Sequence, residues 1–509
     1  MALVAGRPDI VERRPLPWPA LGIAALGAIA GALHLALPLN HDAAWMLEGA
    51  GRLLDGGAFG REIVDVNPPL SWWIGMVPAA LARASGLAPA AAFVAFVLAL
   101  AGASLLLTAR LLALAGTPSE TRGGILLATA AVLLIAPGYD FGQREHTMLI
   151  VAVPYAVLAA LRREAVPLAA GLAFGVGAFA ALGFCLKPHF LLVPALLEVW
   201  LLMATRRWLG WFRAETAVLG LLALAYLAAI RLFAPDYLAQ VLPDALAGYW
   251  AYNSDLLTVI VAVARDTLPA LAVTGLLVAV GGGRPAPLTM ALLVAAAGAT
   301  LGALAQLKGW PYHLLPAAGL IAVAGLSQAA LTGRPAAAGG AYLGAVGFFL
   351  VLIAMPSLRL ATDTAAGGRV AALTQAMRQH AAADETVYAF VTSPRDVHPA
   401  ALAAGRHFAY TSCCLHLVPA ATRLGEVAPG EAARVNAVAE AQAADLVAAL
   451  RRKPPAVILV DAAPEKLGFA GRFDYLDWFA RVPGFDAFWA GYAESAAVDS
   501  YRVFHRRRD

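Results

Sequence analysis

The chain has 509 residues, of which 61% are apolar and only 14% charged, and its mean hydropathy is +0.71. Soluble globular proteins carry about 25% charged residues, so this composition excludes soluble enzymes and nucleic-acid-binding proteins and predicts an integral membrane protein. The net charge of +4 comes from short loops rich in Lys and Arg and from the tail Arg506 to Arg508, and not from a basic stripe.

The first apolar run extends from Trp18 to Leu37 and follows three basic residues, Arg7, Arg13 and Arg14. It is long enough to span a bilayer, and no small-residue cleavage site separates it from the next loop. We therefore expect an uncleaved first transmembrane helix rather than a signal peptide.

Twelve apolar runs are candidates for crossing the membrane. They cover residues 17–38, 68–84, 90–114, 123–137, 146–162, 166–186, 188–204, 214–233, 256–280, 286–305, 310–331 and 337–356. Five loops between these runs carry Lys or Arg, as short cytoplasmic loops do. All five lie inside only if residues 68–110 cross once. We therefore expect residues 68–84 to form a re-entrant or surface helix, and about eleven helices to cross.

The chain changes character after Pro356, where strand-like and helix-like patterns alternate. Candidate strands cover residues 386–392, 407–411, 456–461 and 501–505, and candidate helices lie near 366–381, 430–452 and 472–481. About 150 residues are enough for one independently folded domain. We therefore expect a polytopic α-helical membrane module over residues 1–357, with an outer loop at 39–67, and a soluble extracytoplasmic α/β domain over residues 358–509. The N-terminus would then be cytoplasmic.

Three cysteines are present: Cys185 in an apolar run, and the adjacent pair Cys413 and Cys414. They form no disulfide framework and no metal-binding CxxC spacing. Because a disulfide between adjacent cysteines is strained, we expect two free thiols there.

The first outer loop carries Asp42 directly after the first transmembrane run. Partial desolvation at that position would raise the pKa of this carboxylate toward the value that a general base needs. The alternative is that Asp42 is the N-cap of the helical run that follows it. His41 beside it could begin a metal site, but no second pair of ligands at a suitable spacing supports one.

A second polar cluster, Tyr139 to His146, lies between two apolar runs. It contains four ionisable side chains, Asp140, Arg144, Glu145 and His146, and a single charge in the bilayer costs about 2.5–3.5 kcal/mol on insertion scales. Topological flanking charge accounts for one arginine but not for the whole cluster. We therefore expect partners or a polar cavity, in which Glu145 and Arg144 act together with Asp42.

Three further polar groups lie at predicted outer helix ends. They are Lys187-Pro188-His189, the run from Lys308 to His313 with Tyr312, and the aromatic loop around Tyr249 and Trp250. Lysines on the outer face oppose the usual charge bias, and a phosphate ligand would account for them. Snorkelling, or an ion pair with Glu145 or Asp140, is the alternative. Trp250 could stack on a sugar ring or belong to an interfacial aromatic belt.

Two motifs resemble those of a known superfamily. The first outer loop has an early acidic residue, a short helix and the run Asp65-x-Asn67-Pro68-Pro69-Leu70, and a later run reads Trp310-x-Tyr312-His313-Leu-Leu-Pro316. They resemble the GT-C superfamily of membrane-embedded glycosyltransferases, in particular the branch with protein O-mannosyltransferases and bacterial lipid A aminoarabinose transferases. The aminoarabinose transferases have Glu-Lys-Pro-Pro where this chain has Val66-Asn67-Pro68-Pro69, so the resemblance leaves the sugar and the acceptor open.

The resemblance implies an inverting-type transfer of a sugar from a polyprenyl-phosphate-linked donor to a hydroxyl or amine of a cell-envelope glycan, lipid or protein. By analogy, Asp42 deprotonates the acceptor, Asp65 shapes the site, and Glu145 orients a substrate. The residues implied for the donor phosphate are Arg144, Lys187, Lys308 and His313. Further candidates for substrate contact are His41, Asp140, His146, His189, Tyr249, Trp250 and Tyr312. The Ala/Gly/Leu-rich, Lys-poor composition is typical of a GC-rich bacterial genome, so the expected location is the periplasmic face of the inner membrane.

No residue is assigned to a metal, because lysine and arginine can neutralise a leaving monophosphate; Mg²⁺ or Mn²⁺ is compatible with this chemistry but not required. Two other classes stay open. An outer-leaflet glycan polymerase or ligase would use diphosphate-linked lipids and rely on a long central loop. A lipid-sugar transporter would have paired broken helices in two similar halves, and the sequence has no such symmetry.

Overall fold

The structure, a computed structural model, describes residues 18–332, 337–366 and 368–507. Within these ranges, the helices of the membrane half are α1 Trp18–Ala36, α2 His41–Leu54, α3 Leu70–Ser85, α4 Pro89–Leu114, α5 Ser119–Leu134, α6 Arg144–Arg163, α7 Ala170–Phe184, α8 Leu192–Thr205, α9 Ala214–Phe233, α10 Leu242–Gly248, α11 Leu256–Val280, α12 Pro287–Ala305, α13 Leu315–Leu331 and α14 Ala337–Ala366. Predicted features at residues 1–17, at Arg334 and at Arg508 lie outside the described residues.

Eight helices in the described ranges are long and apolar enough to cross a membrane. They are α1, α4, α6, α9, α11 and α12, together with Pro188–Thr205, which contains α8, and Pro311–Leu331, which contains α13. Two shorter apolar helices are Ala170–Phe184 and Gly344–Met355. The predicted polytopic helical membrane protein is confirmed, whereas the count of eleven crossings is not.

Helix α3 covers most of the segment expected to be re-entrant or superficial. Its 16 residues span about 24 Å, which is less than the thickness of about 30 Å of a bilayer core. The helix packs closely on α2: Trp72 is fully buried, and a side chain added at Gly49 would lie 2.6 Å from its ring. The orientation of this helix in a membrane stays a prediction.

Helices α6 and α13 lie at the centre of the bundle. Of their apolar windows, 94% and 83% of the residues are buried by other parts of the protein, compared with 11% for α1 and 17% for α9. The hydroxyl of Ser104 on α4 donates to the Ile150 carbonyl of α6 at 2.6 Å, so a polar contact helps to fix the central helix. The two most enclosed spans therefore face protein rather than lipid along most of their length.

An ion network closes the C-terminal end of α6. Arg162 donates to both carboxylate oxygens of Glu215 at 2.9 and 2.8 Å, and Arg213 donates to Glu215 at 2.8 Å and to Glu198 at 2.5 Å through its Nη2. A cation in the last turn of a helix also interacts favourably with the helix dipole. This network marks the end of the bundle that carries several of the arginine-rich turns.

The C-terminal part carries a five-stranded mixed sheet in the order β2-β1-β3-β5-β4. Its strands are β1 Thr386–Phe390, β2 His407–Phe408, β3 Val457–Asp461, β4 Tyr492–Glu494 and β5 Tyr501–Arg506, and its helices are α15 Arg369–His380, α16 Val397–Ala404, α17 Pro429–Arg452, α18 Tyr475–Phe479 and α19 Phe485–Trp489. β1 pairs in parallel with β2 and β3, and β5 runs antiparallel to β3 and β4. The four predicted strands are confirmed, and β4 was not predicted.

The sheet lies against helix α2 and the first outer loop. Arg52 of α2 donates to the carbonyls of Phe408 and Tyr410 at 2.6 and 2.9 Å, and Val64 pairs with the residues that follow β2 by donating to the Thr411 carbonyl at 2.8 Å. Helix α14 runs through the predicted boundary at residue 357, and the division into two domains stays a prediction.

Close packing between α7 and α9 predicts different effects for two glycines of α7. A Cβ at Gly177 would lie 2.7 Å from Cα of Glu215, whereas a Cβ at Gly175 would meet nothing within 4 Å. Gly177→Ala should destabilise the protein by about 1–3 kcal/mol because α9 must move. Gly175→Ala should leave stability unchanged or raise it, because alanine is the better helix former. Thermal unfolding in detergent measures both, and equal unfolding temperatures for the two variants would contradict this packing.

Candidate active site

Two acidic residues lie in the first turns of two helices that begin at the same end of the bundle. Asp42 is in the first turn of α2, and Glu145 is in the first turn of α6. Helix N-termini favour anions, so both carboxylates gain from the helix dipole. The N-cap of α2 is Asn40, whose side chain accepts from the Asp42 amide at 2.8 Å. The interpretation of Asp42 as the cap is therefore wrong, and its carboxylate points elsewhere.

The Asp42 carboxylate forms an ion pair with Arg144. Nη2 of Arg144 donates to Oδ2 of Asp42 at 2.8 Å, and the Asp42 side chain keeps 26% exposure. Burial favours a higher pKa for Asp42, but the charges of Arg144, His41 and Lys187 outweigh it and hold the pKa below its usual value. The expected rise in the pKa of Asp42 is therefore wrong for this state, because the neighbouring cations outweigh the effect of burial.

A second ion pair joins Glu145 and Lys187. Nζ of Lys187 lies 2.6 Å from Oε1 of Glu145 and also donates to the side-chain oxygen of Gln306 at 3.3 Å. Nε2 of His313 lies 3.8 Å from the same Glu145 oxygen. Glu145 is fully buried, so its charge depends on these partners. The ion-pair alternative for Lys187 is thus the observed one.

Aromatic side chains surround the two ion pairs. Nδ1 of His41 lies 3.2 Å from the Tyr139 hydroxyl, and its Nε2 lies 3.7 Å from Asp42. The ring of Tyr312 lies 4.3 Å from the ring of His313 and 5.9 Å from Nζ of Lys187. The first outer loop, the start of α6, Lys187 and the turn before α13 therefore meet in one polar cluster.

Lys308 lies in an aromatic cage beside this cluster. Its ammonium donates to the Tyr249 carbonyl and to the Asn253 side chain, both at 2.8 Å, and it lies 4.2 Å from the Tyr249 ring and 6.0 Å from the Trp310 ring. No ion pair of Lys308 is found within the part of the chain that the structure describes. Burial lowers the pKa of Lys308 to about 7. An anion in the cage would restore the charged form of this lysine.

Other candidates make structural contacts instead. His146 accepts from the Gly142 amide at 2.9 Å and donates to the Leu133 carbonyl at 2.8 Å, so it fixes the turn before α6, where Gly142 has φ +79°. Trp250 donates to the Ala247 carbonyl at 2.8 Å and packs against the C-terminal part of the chain. His189 is half-buried, and its ring lies 5.0 Å from that of Phe190.

The carboxylates of Asp65 and Asp140 are held by neutral donors. Asp65 accepts from the indole of Trp45 at 3.2 Å and from the amide and side chain of Asn67, both at 2.9 Å. Asp140 accepts from Asn40 at 3.3 Å and from Ser357 at 3.2 Å, and burial raises its pKa to about 7. These contacts fix the shapes of the loop between α2 and α3 and of the turn before α6.

Several buried polar atoms of the cluster lack a hydrogen-bond partner among the described residues. They are Nε of Arg144, Oε2 of Glu145, Nδ1 of His313, Nε2 of His189, the side-chain oxygen of Gln143 and the hydroxyl of Tyr252. Each such atom costs free energy unless a ligand or water meets it. Six of the sixteen buried side-chain atoms that lack a partner among the described residues lie in or beside this cluster, which makes it a candidate binding site.

The sequence did not identify several residues that complete the site. Asn40, Gln306 and Asn253 are neutral residues whose only signal was their position beside a predicted helix end. His416 comes from the C-terminal part, and its ring lies 6.4 Å from that of Tyr249. No local pattern marks His416 as a site residue.

The geometry can be compared with proteins of known structure. No protein-family model and no curated protein matches this chain. Two crystal structures of ArnT from Cupriavidus metallidurans, one bound to undecaprenyl phosphate and one in the apo state, match with TM-scores of 0.60 and 0.56. Each shows 13% identity and covers 96% of this chain and 97% of ArnT. The chain has the fold of ArnT.

This likeness confirms the predicted fold class, a multi-pass helical membrane protein with a small C-terminal sheet. It extends over almost the whole of both chains, so it includes the C-terminal sheet as well as the membrane helices.

The buried pair of Glu145 and Lys187 gives a prediction for stability. Lys187→Met leaves an unpaired buried carboxylate and should cost about 3–5 kcal/mol, whereas the double variant Lys187→Met/Glu145→Gln carries no unpaired charge and should recover most of this loss. Lys453→Met, at an exposed position, is the matched control and should unfold like the parent. Thermal unfolding temperatures in detergent measure these differences. A double variant that is no more stable than Lys187→Met would contradict the pairing.

Proposed function

We propose that this protein is a membrane glycosyltransferase. It would transfer a sugar from a polyprenyl-phosphate-linked donor to a hydroxyl or amine of a cell-envelope glycan, lipid or protein. The observation that carries the proposal is the set of unpaired buried atoms on Arg144, Glu145 and His313. They lie next to the caged Lys308, which has no carboxylate partner among the residues that the structure describes. The likeness to ArnT, one structure of which holds undecaprenyl phosphate, supports the choice of donor lipid.

The cations of the site match the charge that the reaction develops. As the bond between the anomeric carbon and the phosphate oxygen breaks, its electron pair stays on the phosphate, and the leaving group becomes a phosphate dianion. Arg144 can engage phosphate oxygens with more than one N–H, and Lys187 and Lys308 supply compact positive charges. Preorganised cations stabilise such developing charge strongly in a site that excludes water.

Asp42 is the proposed general base. Its carboxylate would take the proton of the acceptor hydroxyl or amine while the acceptor attacks the anomeric carbon from the side opposite the phosphate, which inverts the configuration. The ion pair with Arg144 makes Asp42 a weak base in the observed state. A donor phosphate that draws Arg144 toward itself would weaken this pair and strengthen the base. The base would thus become competent only when the donor is present.

The remaining carboxylates have positioning roles in this proposal. Glu145 holds Lys187 and faces His313, so it orients the groups that would meet the donor phosphate. Asp65 ties Trp45 of α2 to the loop before α3 and so keeps the first outer loop against the site. No step requires a metal, and a metal-independent mechanism stays part of the proposal.

We further propose that the site faces the periplasm of a bacterial inner membrane, with the N-terminus in the cytoplasm. The arginines of the network at the C-terminal end of α6 lie at the opposite end of the bundle from Asp42 and Glu145, in agreement with the positive-inside rule. Residues 358–509 would then form a periplasmic domain above the membrane module of residues 1–357. Its contacts with α2 support a position above the site, from which a polar acceptor would approach.

The proposal predicts that Asp42→Asn slows turnover strongly without unfolding the protein. Purified protein is incubated with a panel of undecaprenyl-phosphate-linked hexoses, pentoses and amino sugars and with an extract of envelope lipids and glycans, and release of undecaprenyl phosphate is followed. A general base contributes about 10²–10⁴-fold, so kcat should fall by that factor. Asp486→Asn makes the same chemical change at an exposed position of α19 and should keep full activity.

Three outcomes would overturn parts of this assignment. Full activity of folded Asp42→Asn on a working donor would remove Asp42 from the chemistry. Turnover with diphosphate-linked glycans alone would favour the polymerase or ligase class. Movement of a lipid-linked sugar across a vesicle membrane with no bond broken would favour a transporter.

A further inference from the structure

Two adjacent cysteines lie in the loop that joins the C-terminal part to the candidate site. Their sulfur atoms, Sγ of Cys413 and Sγ of Cys414, are 3.2 Å apart, and both are free thiols. The loop is held beside the first outer loop by the bridge between Val64 and Ser412. The third cysteine, Cys185, is buried at the end of α7. The pair has no role in the proposed sugar transfer.

Backbone geometry determines how such a pair behaves on oxidation. Consecutive Cα atoms joined by a trans peptide are about 3.8 Å apart, whereas the Cα atoms of ordinary disulfides are about 4.4–6.8 Å apart. A bond between these two sulfurs is therefore strained. Strained disulfides are reduced easily and are the labile and regulatory ones. A disulfide here would be reversible rather than a permanent structural link.

The surroundings favour thiol exchange. Cys413 is half-buried, so a small molecule can approach the pair from its side. The hydrogen bond from Cys413 and the nearby His416 lower the pKa of Cys414 to about 7, so part of this thiol is ionised near neutral pH. The thiolate is the reactive form in disulfide exchange. The hydrogen bond to Cys414 raises the pKa of Cys413, so Cys414 carries the thiolate and Cys413 is the more exposed sulfur of the pair.

We propose that Cys413 and Cys414 are a redox modification site that reacts reversibly with a disulfide. One cysteine thiolate attacks the disulfide of the oxidant, which forms a mixed disulfide and releases one thiolate. The second cysteine, as its thiolate, then attacks the first cysteine's sulfur in the mixed disulfide, which closes the intramolecular disulfide and releases the other half of the oxidant as a thiolate. Two cysteine thiols lose two electrons and two protons in total, and the oxidant becomes two thiols.

A chain of contacts links this pair to the helix that carries Asp42. Nε2 of His398 donates to the Cys413 carbonyl at 2.9 Å, and the His398 ring lies 5.0 Å from the ring of Trp45 on α2. The Trp45 indole in turn donates to Asp65. Closing an eight-membered ring between adjacent cysteines must turn the peptide between them. Oxidation would therefore break or weaken the His398 contact and loosen the loop on α2.

The test uses full-length protein in detergent and needs neither donor nor acceptor, so its result is independent of the proposed sugar transfer. The protein is equilibrated in mixtures of 2-hydroxyethyl disulfide and 2-mercaptoethanol, and free thiols are alkylated. The mass of the peptide that contains Cys413 and Cys414 is then measured by mass spectrometry. We expect a loss of two hydrogens in this peptide that reverses fully when thiol is added. Either serine variant, Cys413→Ser or Cys414→Ser, should abolish it, and Cys185→Ser should not.

A second probe tests, without any oxidant, whether the two thiols are accessible and close together. Phenylarsine oxide bridges two neighbouring thiols, so one molecule should bind per wild-type chain and none to either serine variant. Hydrogen exchange of residues 398–417 should rise in the oxidised protein. Two results would overturn the proposal. One is a peptide that carries only mixed disulfides. The other is a peptide that stays reduced in 2-hydroxyethyl disulfide without added thiol, from a protein that also fails to bind the arsenical.

Discussion

The fully buried carboxylate of Glu145 sets the constraint on which the rest of the site depends. It begins α6, the helix most enclosed by the rest of the bundle, and a charge placed there cannot reach water. It therefore requires a cation, which Lys187 supplies at 2.6 Å from the turn before α8. His313 approaches from the turn before α13. Three separate segments are thus brought to one point by the need to neutralise one side chain.

The second ion pair follows from the first. Arg144 is adjacent to Glu145 in α6, and its guanidinium forms an ion pair with Asp42 of α2. The result is an alternation of acids and bases that is nearly neutral as a whole but leaves donor and acceptor atoms unpaired. Such an arrangement is costly for stability alone, since apolar residues would pack there without penalty. A ligand that forms hydrogen bonds with the unpaired atoms would offset this cost. A phosphate that carries a polar sugar has the complementary donor and acceptor groups.

Part of this picture was accessible from the sequence. The apolar runs and the excess of Lys and Arg in short loops predicted the membrane helices, and the pattern beyond Pro356 predicted four of the five strands. The grouping of Asp42, Arg144, Glu145 and Lys187 was also expected, because charged residues at predicted helix ends require partners. β4 was missed because a strand of three residues carries no recognisable alternation.

Other features depend on contacts that no local pattern encodes. Asp42 and Arg144 are 102 positions apart, and their pairing reverses the expected direction of the pKa of Asp42. Asn40 and Asp42 are both good cap residues, and in the structure Asn40 caps α2 while Asp42 pairs with Arg144. The approach of His416 to Tyr249 depends on how the sheet lies on α2, which follows from packing between distant segments.

The central claim is that the cations of this cluster bind the phosphate of a polyprenyl lipid, and direct binding of undecaprenyl phosphate tests it. The dissociation constant is measured for wild-type protein in nanodiscs, for Lys308→Met, which removes the caged ammonium, and for Lys453→Met, which removes an exposed one. The account predicts at least about tenfold weaker binding for Lys308→Met, equivalent to about 1.4 kcal/mol, and no change for Lys453→Met. Equal affinities for wild type and Lys308→Met, with both proteins folded, would contradict it.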